Sequence, residues 1–343
     1  MIQPEALLQQ YFGHKAFRTG QKQAIDAILS GRDVLAVMPT GAGKSVCYQI
    51  SALLLPGVTI VISPLISLMK DQVEALRQVG IPAAYINSSI SQEEFYHSMQ
   101  MLQQGQCRIL YVAPERLMTE SLLRLAQRVQ ISMIAVDEAH CVSQWGQDFR
   151  QSYLDIPVFM EQLLVRPVCT AFTATATKQV EADIARILKL RDPETIHTGF
   201  DRKNLFFGVR RPNSKMTELF HLLKENDGKS GIVYCSTRKA VEEVCASLCD
   251  AGFDATRYHA GLSDVERAQN QDDFLYDRKP IMVATNAFGM GIDKSNVSFV
   301  IHYNMPMDLE SYYQEAGRAG RDGEPAQCIL LYSGCLLYTS DAA

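Results

Sequence analysis

Short apolar runs alternate along this chain with stretches in which apolar residues recur every three or four positions. Runs of four to six apolar residues are typical of buried strands, and the intervening pattern is typical of amphipathic helices such as 65–79 and 178–189. The pattern predicts an α/β fold of two units, each a mostly parallel sheet flanked by helices. The predicted strands are 34–37, 58–63, 83–86, 108–112, 131–136 and 168–172, then 231–234, 255–258, 280–284, 297–302 and 327–332.

A polar stretch at 198–204 separates the two series of strands, which places the predicted units at 1–199 and 200–333. A chain of 343 residues is long for one domain and suits two of ordinary size. The last ten residues, 334–343, fit neither series and are interpreted as an unrelated or artefactual tail, with a natural short form as the alternative.

Composition indicates the class of protein but says little about its function. The chain is 47% hydrophobic and carries a net charge of −5, so bulk charge does not announce a nucleic-acid partner, and any such binding must come from local grooves. No apolar run approaches the length of a membrane span, and the start has no signal-peptide layout. Nine cysteines without CxxC pairs indicate reduced thiols and no zinc site. We expect a cytoplasmic protein with no membrane partner.

The segment Met38–Ser45 joins the first predicted strand to a predicted helix and has the composition of a phosphate-binding loop. Its glycines would let backbone N–H groups point at phosphate oxygens, aided by the helix dipole. Lys44 would bind the β- and γ-phosphates, and Ser45 would offer a hydroxyl to Mg²⁺. Met38 departs from the usual pattern, which begins with Gly, and an ordinary strand-to-helix turn is the alternative. The candidate nucleotide-binding residues here are Thr40, Gly41, Ala42, Gly43, Lys44 and Ser45.

Two adjacent carboxylates, Asp137 and Glu138, directly follow the predicted strand 131–136. Carboxylates at the end of a buried strand are costly unless they act on a ligand. In a phosphate-loop protein the first acid holds Mg²⁺, and the second can accept a proton from the water that attacks the γ-phosphate. A solvated strand-end pair is the alternative.

Together with the phosphate loop, Asp137–His140 resembles a superfamily-two helicase, and the flanking residues resemble the RecQ family of DNA helicases. The resemblance covers roughly residues 5 to 333, in the order of that family. The further motifs that carry it are Phe17–Gln21, Ser63–Gln72, Ala113–Leu117, Ala171–Ala176, Tyr234–Arg238, Tyr258–Leu262, Ala284–Asp293 and Gln314–Gly323. It implies two RecA-like lobes with ATP and Mg²⁺ between them.

The resemblance also assigns roles to single residues. It implies that Gln21, with Arg18 nearby, reads the adenine edge, and that Asp293 contributes to the nucleotide site. Arg321 is implied as the arginine finger, with Arg318 close by. From spacing alone, two arginines three residues apart on a helical stretch share one face, and a second-lobe arginine can neutralise charge on the transferred phosphoryl group.

The segment 141–150 follows the acids and holds the only Trp of the chain. Aromatic residues in a polar, Gly-containing segment are poorly placed for a core and can stack on bases, although a partly buried loop anchor is the alternative. The family has a DNA-coupling loop here, which implies Trp145, Gln147, Phe149 and Arg150. It usually shows His where this chain has Gln147, and Pro where it has Lys203.

The resemblance implies a 3′–5′ DNA helicase or translocase core that acts on single-stranded and forked DNA in repair and recombination. We expect this core to be monomeric. Nothing in the residues identifies a single-strand-binding protein as a partner. Two alternatives stay open: an RNA-dependent ATPase, and a DNA-stimulated binding module that cycles with little unwinding. The second is favoured by the absence, after Ser333, of the zinc and winged-helix modules that most of the family carries.

Overall fold

The computed structural model describes residues 3–146, 148–199, 202–288 and 294–333. The chain divides into two compact units, Met1–Phe200 and Asp201–Ala343. Within the described ranges, no helix combines the length and the apolar character needed to cross a lipid bilayer.

The first unit is built on a seven-stranded sheet in which every described strand pairing is parallel. Its strand order is β3-β4-β2-β5-β6-β1-β7. The strands are β1 (Val34–Val37), β2 (Val58–Ile62), β3 (Ala83–Ile86), β4 (Ile109–Val112), β5 (Ile131–Val136), β6 (Val168–Thr173) and β7 (Glu194–His197).

Helices cover both faces of this sheet, because the central strands are buried on both sides. One core cluster lies under α1 to α4, and a second lies under α5 to α8. The helices are α1 (Pro4–Phe12), α2 (Gln21–Leu29), α3 (Lys44–Leu54), α4 (Ile66–Gln78), α5 (Gln92–Gln103), α6 (Glu120–Ala126), α7 (Asp155–Glu161) and α8 (Lys178–Ile187).

The second unit repeats this plan with six parallel strands in the order β10-β11-β9-β12-β13-β8. Its two core clusters lie on opposite faces of the sheet. The strands are β8 (Leu205–Arg210), β9 (Ser230–Tyr234), β10 (Ala255–Tyr258), β11 (Ile281–Ala284), β12 (Val297–His302) and β13 (Ala326–Leu331). The helices are α9 (Lys215–Glu225), α10 (Arg238–Asp250), α11 (Asp264–Leu275) and α12 (Leu309–Ala316).

The predicted fold class is confirmed, and each predicted strand is present with its ends within one residue. Two strands, β7 and β8, were not predicted. Both lie at a sheet edge and have one strand neighbour each. In β7 only Ile196 is buried, and in β8 only Leu205 is buried. An edge strand with so little buried surface lacks the continuous apolar run that marks the central strands.

Candidate nucleotide and nucleic-acid site

The segment after β1 forms a tight loop that leads into α3. Gly41 and Gly43 have φ angles of 82° and 77°, in the left-handed region that glycine adopts without strain. Lys44 is the first residue of α3, and its Nζ donates to the Met38 carbonyl at 3.2 Å. Because α3 starts here, its first backbone N–H groups and its dipole face the loop, as an anion site requires.

Gln21 holds this loop through hydrogen bonds from its side-chain amide. Its side-chain Nε2 donates to the carbonyls of Ala42 and Gly43, each at 3.0 Å, and its Oε1 accepts from the Arg18 backbone N at 2.9 Å. The Arg18 guanidinium in turn donates to the Gly41 carbonyl. A Cβ at Gly43 would lie 2.5 Å from Gln21 Nε2, so a side chain there would displace the Gln21 amide from the loop. The Gln21 amide therefore contacts the phosphate loop directly, a role that the sequence did not reveal.

Asp137 and Glu138 lie at the end of β5, at the same edge of the sheet as the phosphate loop. Strand β6 lies between β5 and β1, and its Thr173 carbonyl accepts from the Met38 backbone N at 2.9 Å. The Asp137 backbone is fixed on both sides: its N donates to Ile62, and its carbonyl accepts from the Tyr153 hydroxyl at 2.9 Å. The parallel sheet thus brings the two motifs together, since the carboxyl ends of its strands meet at one edge.

The Asp137 carboxyl group is buried next to two charged side chains. Burial, followed by the neighbouring Glu138 carboxylate, raises the pKa of Asp137 to about 7, while Lys44 acts in the opposite direction. A nearby cation favours the charged form of a buried acid. A divalent cation at this position would therefore stabilise the charged form of the buried Asp137 carboxyl group.

Glu138 adopts a backbone conformation that is unusual for its type. Its φ of 46° lies in the left-handed region, which residues other than glycine rarely adopt. Its buried Oε2 has no hydrogen-bond partner and lies 3.5 Å from His140 Nδ1. Strain and an unpaired acceptor of this kind cluster at functional sites.

His140 connects the acids to β6. Its Nδ1 lies 2.9 Å from Thr173 Oγ1, and that hydroxyl also donates to the Thr175 carbonyl at 2.9 Å. His140 and Thr173 are buried. This contact joins the acid motif to the segment that leads from β6 into α8.

The residues present suit ATP and Mg²⁺. The glycine loop, the start of α3 and Lys44 form an anion cradle, and Ser45 and Asp137 supply the hard oxygen ligands that Mg²⁺ prefers. Ser45 would hold the ion through its hydroxyl and Asp137 through its carboxylate.

The aromatic segment lies on the surface of the first unit. Trp145 is 75% exposed and Phe149 is 38% exposed, so neither belongs to the core. The Arg150 side chain is fixed by two hydrogen bonds, since its Nη1 donates to the Pro64 carbonyl at 3.2 Å and its Nε to Asp148 Oδ2 at 2.9 Å. A hollow of about 440 Å³ lies between this segment and α8, lined by both aromatic side chains.

In the second unit, the expectation that Arg318 and Arg321 share a helix face is wrong. Helix α12 ends at Ala316, and both arginines lie in the turns that follow it. After Ala316 the helical bonds give way to tighter turns, in which the N–H groups of Arg318 and Ala319 donate to carbonyls three residues earlier. Gly320, with a left-handed φ of 58°, then turns the chain, and its N donates to the Val297 carbonyl. Arg318 is buried, and Arg321 is partly buried.

Two family models match this chain. Residues 18–183 match the DEAD/DEAH box helicase model, and residues 214–323 match the helicase conserved C-terminal domain. Over 330 residues the chain is 49% identical to the ATP-dependent DNA helicase RecQ of Bacillus subtilis (strain 168). The chain belongs to the RecQ family.

The similarity to the Bacillus RecQ protein extends over 96% of this chain but 56% of that protein. The chain thus spans about half the length of the bacterial RecQ proteins that it matches.

Solved helicases share the fold. S. cerevisiae Dbp5 bound to RNA and ADP BeF3 superposes with a TM-score of 0.75 at 21% identity, covering 96% of this chain and 88% of Dbp5. Mycobacterium smegmatis helicase Lhr bound to ssDNA and AMP-PNP gives 0.74 at 22% identity, covering 95% of this chain and 47% of Lhr. At these identities the likeness establishes the fold alone, a pair of RecA-like units.

Sequence reasoning missed two residues that hold the arginine turns of this RecQ-family chain. Arg202 donates to the carbonyls of Ala319 and Gly320 at 3.1 and 2.6 Å. Asn204 Nδ2 donates to the carbonyls of Gly320 and Glu324 at 2.8 and 2.9 Å. The signal available was their position in the polar stretch 198–204 that separates the two series of strands.

Two predicted site residues lie outside the described residues. These are Gln147 of the aromatic segment and Asp293, the implied nucleotide contact of the second unit.

Proposed function

We propose that this chain is the motor core of a RecQ-type enzyme that hydrolyses ATP in response to single-stranded DNA and moves along it in the 3′–5′ direction. The observation that carries the proposal is the meeting of the phosphate loop with Asp137 and Glu138 at one sheet edge. There the Lys44 charge acts on the Asp137 carboxyl group.

Residues of both units have proposed roles in hydrolysis. Lys44 and the backbone N–H groups of the loop bind the phosphates of ATP. When bound at Ser45 and Asp137, Mg²⁺ neutralises phosphate charge. Glu138, with its unpaired Oε2, accepts the proton of the attacking water. Arg321, with Arg318 nearby, neutralises charge that develops on the transferred phosphoryl group, a role proposed from the family resemblance.

The proposed nucleic-acid contact on the first unit is the exposed aromatic segment. Trp145 and Phe149 offer rings on which unpaired bases can stack, and stacking accepts any sequence. Phosphate contacts would hold the strand in register. We propose action on single-stranded and forked DNA in the cytoplasm, in repair and recombination, with the core working as a monomer.

A second candidate function is a DNA-stimulated ATPase that unwinds little by itself. It is favoured by the exposed aromatic segment, since stacking on Trp145 and Phe149 requires unpaired bases and no splitting of a duplex.

The test compares ATP turnover with strand displacement on the same protein. ATPase rates are measured alone, with single-stranded DNA and with single-stranded RNA of the same sequence, beside displacement from a 3′-tailed duplex. We expect DNA to stimulate turnover far more than RNA. Displacement of long duplexes would support the helicase, and stimulation without displacement would support the second candidate. Equal stimulation by RNA would contradict both.

A further inference from the structure

A chain of hydrogen bonds joins helix α8 to the turn that carries Trp145. The Ser143 hydroxyl donates to Asp183 Oδ2 of α8 at 2.7 Å. Ser143 Oγ also accepts from the Trp145 backbone N at 3.1 Å. Ser143 is fully buried, and Asp183 is 7% exposed. On the other side of the carboxylate, Arg186 donates to Oδ1 at 2.7 Å.

This arrangement is more than ordinary helix packing. Val180 and Ile184 on the same side of α8 belong to the apolar core, where a carboxylate is costly unless it is fully bonded. The bonds from Arg186 and Ser143 hold the pKa of Asp183 below its usual value, because both bonds stabilise the charged carboxylate. Asp183 is therefore fitted to hold the Ser143 hydroxyl.

Two further contacts shape the turn around Ser143. The Gly146 N donates to the Ser143 carbonyl at 2.9 Å, and a Cβ at Gly146 would lie 2.2 Å from the His140 carbonyl oxygen. Trp145 stands at the tip of this turn with its side chain exposed. The orientation of Trp145 thus depends on Ser143, and Ser143 is fixed by Asp183.

We propose that Asp183, acting through Ser143, is a positioning residue that holds Trp145 in the orientation on which single-stranded DNA stacks. The inference rests on the proposed function and deepens it. Helix α8 begins directly after the segment in which Thr173 contacts His140, and its first turn is capped by the Thr177 hydroxyl.

The first experiment needs neither DNA nor nucleotide. Trp145 is the only Trp of the chain, so its fluorescence anisotropy and its quenching by acrylamide report this turn without a label. Asp183→Ala and Ser143→Ala should each lower the anisotropy, because the turn loses its anchor. The double variant should show no further loss, since the two residues act through one bond.

Two variants on α8 serve as controls. Asp183→Asn keeps an oxygen that can accept from Ser143 and should retain most of the anisotropy. Arg186→Ala removes a partner that is 71% exposed and leaves the Ser143 bond in place, so its anisotropy should stay near that of wild type. Should Asp183→Ala fail to fold by circular dichroism, Ser143→Ala carries the test. Unchanged anisotropy in Ser143→Ala and in every folded Asp183 variant would overturn the proposal.

The second experiment measures ATP turnover against the concentration of single-stranded DNA. In Asp183→Ala the concentration for half-maximal stimulation should rise about tenfold, which corresponds to a loss of about 1.4 kcal/mol of stacking. The KM for ATP without DNA should not change, and Asp183→Asn should restore most of the response. Full stimulation in a variant with lowered anisotropy would overturn the positioning role. If wild type shows no DNA stimulation, the proposed function fails, and the fluorescence still decides whether Asp183 fixes the turn.

Discussion

Lys44 and Glu138 are both expected to be essential for hydrolysis, but they act on different steps. Lys44→Ala removes the charge that binds phosphates, so nucleotide affinity and turnover should both fall. Glu138→Gln keeps the shape and removes the proton acceptor, so ATP should still bind while turnover falls by about a hundredfold or more. Titration with a fluorescent ATP analogue beside steady-state turnover separates the two effects. Near-normal turnover in Glu138→Gln would exclude it as the base.

Gln21 is expected to act on both the base and the phosphate loop. The family resemblance implies that it reads adenine, whose donor and acceptor pattern is the reverse of that of guanine. In the structure its amide also donates to Ala42 and Gly43. Gln21→Ala should therefore lower the preference for ATP over GTP and also weaken the binding of both nucleotides. Hydrolysis of GTP and ATP at equal rates by wild type would remove base reading and leave the loop contact.

Asp137 should make stability depend on pH in protein stripped of Mg²⁺ and nucleotide. Its folded pKa of about 7 lies above the ordinary value of 3.8, so the folded state binds more protons between these values. Stability contributed by this group is thus lost as pH rises from about 4 to 7. Asp137→Asn cannot ionise, and its stability relative to wild type should increase over that range by about 2 to 4 kcal/mol.

Urea unfolding at pH 5 and at pH 8 measures this difference. Adding Mg²⁺ with a non-hydrolysable ATP analogue should reduce the pH dependence of wild type, because the cation stabilises the charged carboxylate. A constant difference between Asp137→Asn and wild type across this range would show that the Asp137 carboxyl group is already charged at pH 5.

At the scale of the elements, the apolar pattern predicted every central strand and left out the two edge strands, β7 and β8. Central strands are buried on both faces and read as continuous apolar runs, whereas an edge strand can keep a single buried side chain. The arginine turns show a similar limit. Spacing suggested a helix through Arg321, but Gly320 turns the chain after α12.

The arginine turns offer a prediction at this scale. Asn204 donates to the carbonyls of Gly320 and Glu324, so Asn204→Ala should let the turn shift. Because this turn carries Arg321, the proposed arginine finger, kcat for ATP should fall by roughly ten- to a hundredfold. Nucleotide affinity should not change, because the phosphate loop belongs to the other unit. Arg210→Ala, an exposed arginine at the end of β8, is the matched control. A loss of affinity with kcat intact would contradict the positioning role of Asn204.

At the scale of the molecule, the sequence predicted two parallel α/β units and the motifs at their strand ends, because burial and phosphate binding each impose a local pattern. It did not predict the contacts made between distant segments. Asp183 to Ser143 spans 40 positions, and Asn204 to Gly320 spans 116. Side chains such as these look like ordinary surface or linker residues until the fold brings them to their partners.

The buried thiols provide a prediction about the folding of each unit. Of the cysteines in the described part of the chain, Cys249 is exposed and the others are buried. Burial raises the pKa of the Cys47, Cys169 and Cys235 thiols to about 12, which further suppresses the reactive thiolate. In native protein, Cys249 should react with a thiol reagent quickly and these three slowly. Labelling of each cysteine is measured by mass spectrometry. Cys335 lies outside the described residues, and its labelling is measured separately from the others.

Pulse labelling over a urea series then follows the two units separately. Each unit has its own core clusters, so the thiols within one unit should lose protection at a common urea concentration. Cys47, Cys107, Cys141 and Cys169 report the first unit, and Cys235, Cys245 and Cys328 report the second. Leu222→Ala, a core residue of α9, should lower the free energy of unfolding of the second unit by about 2 to 5 kcal/mol. The midpoint of the second set should therefore move to lower urea, while the first set stays in place. Equal shifts in both sets would show that the two units unfold as one cooperative body.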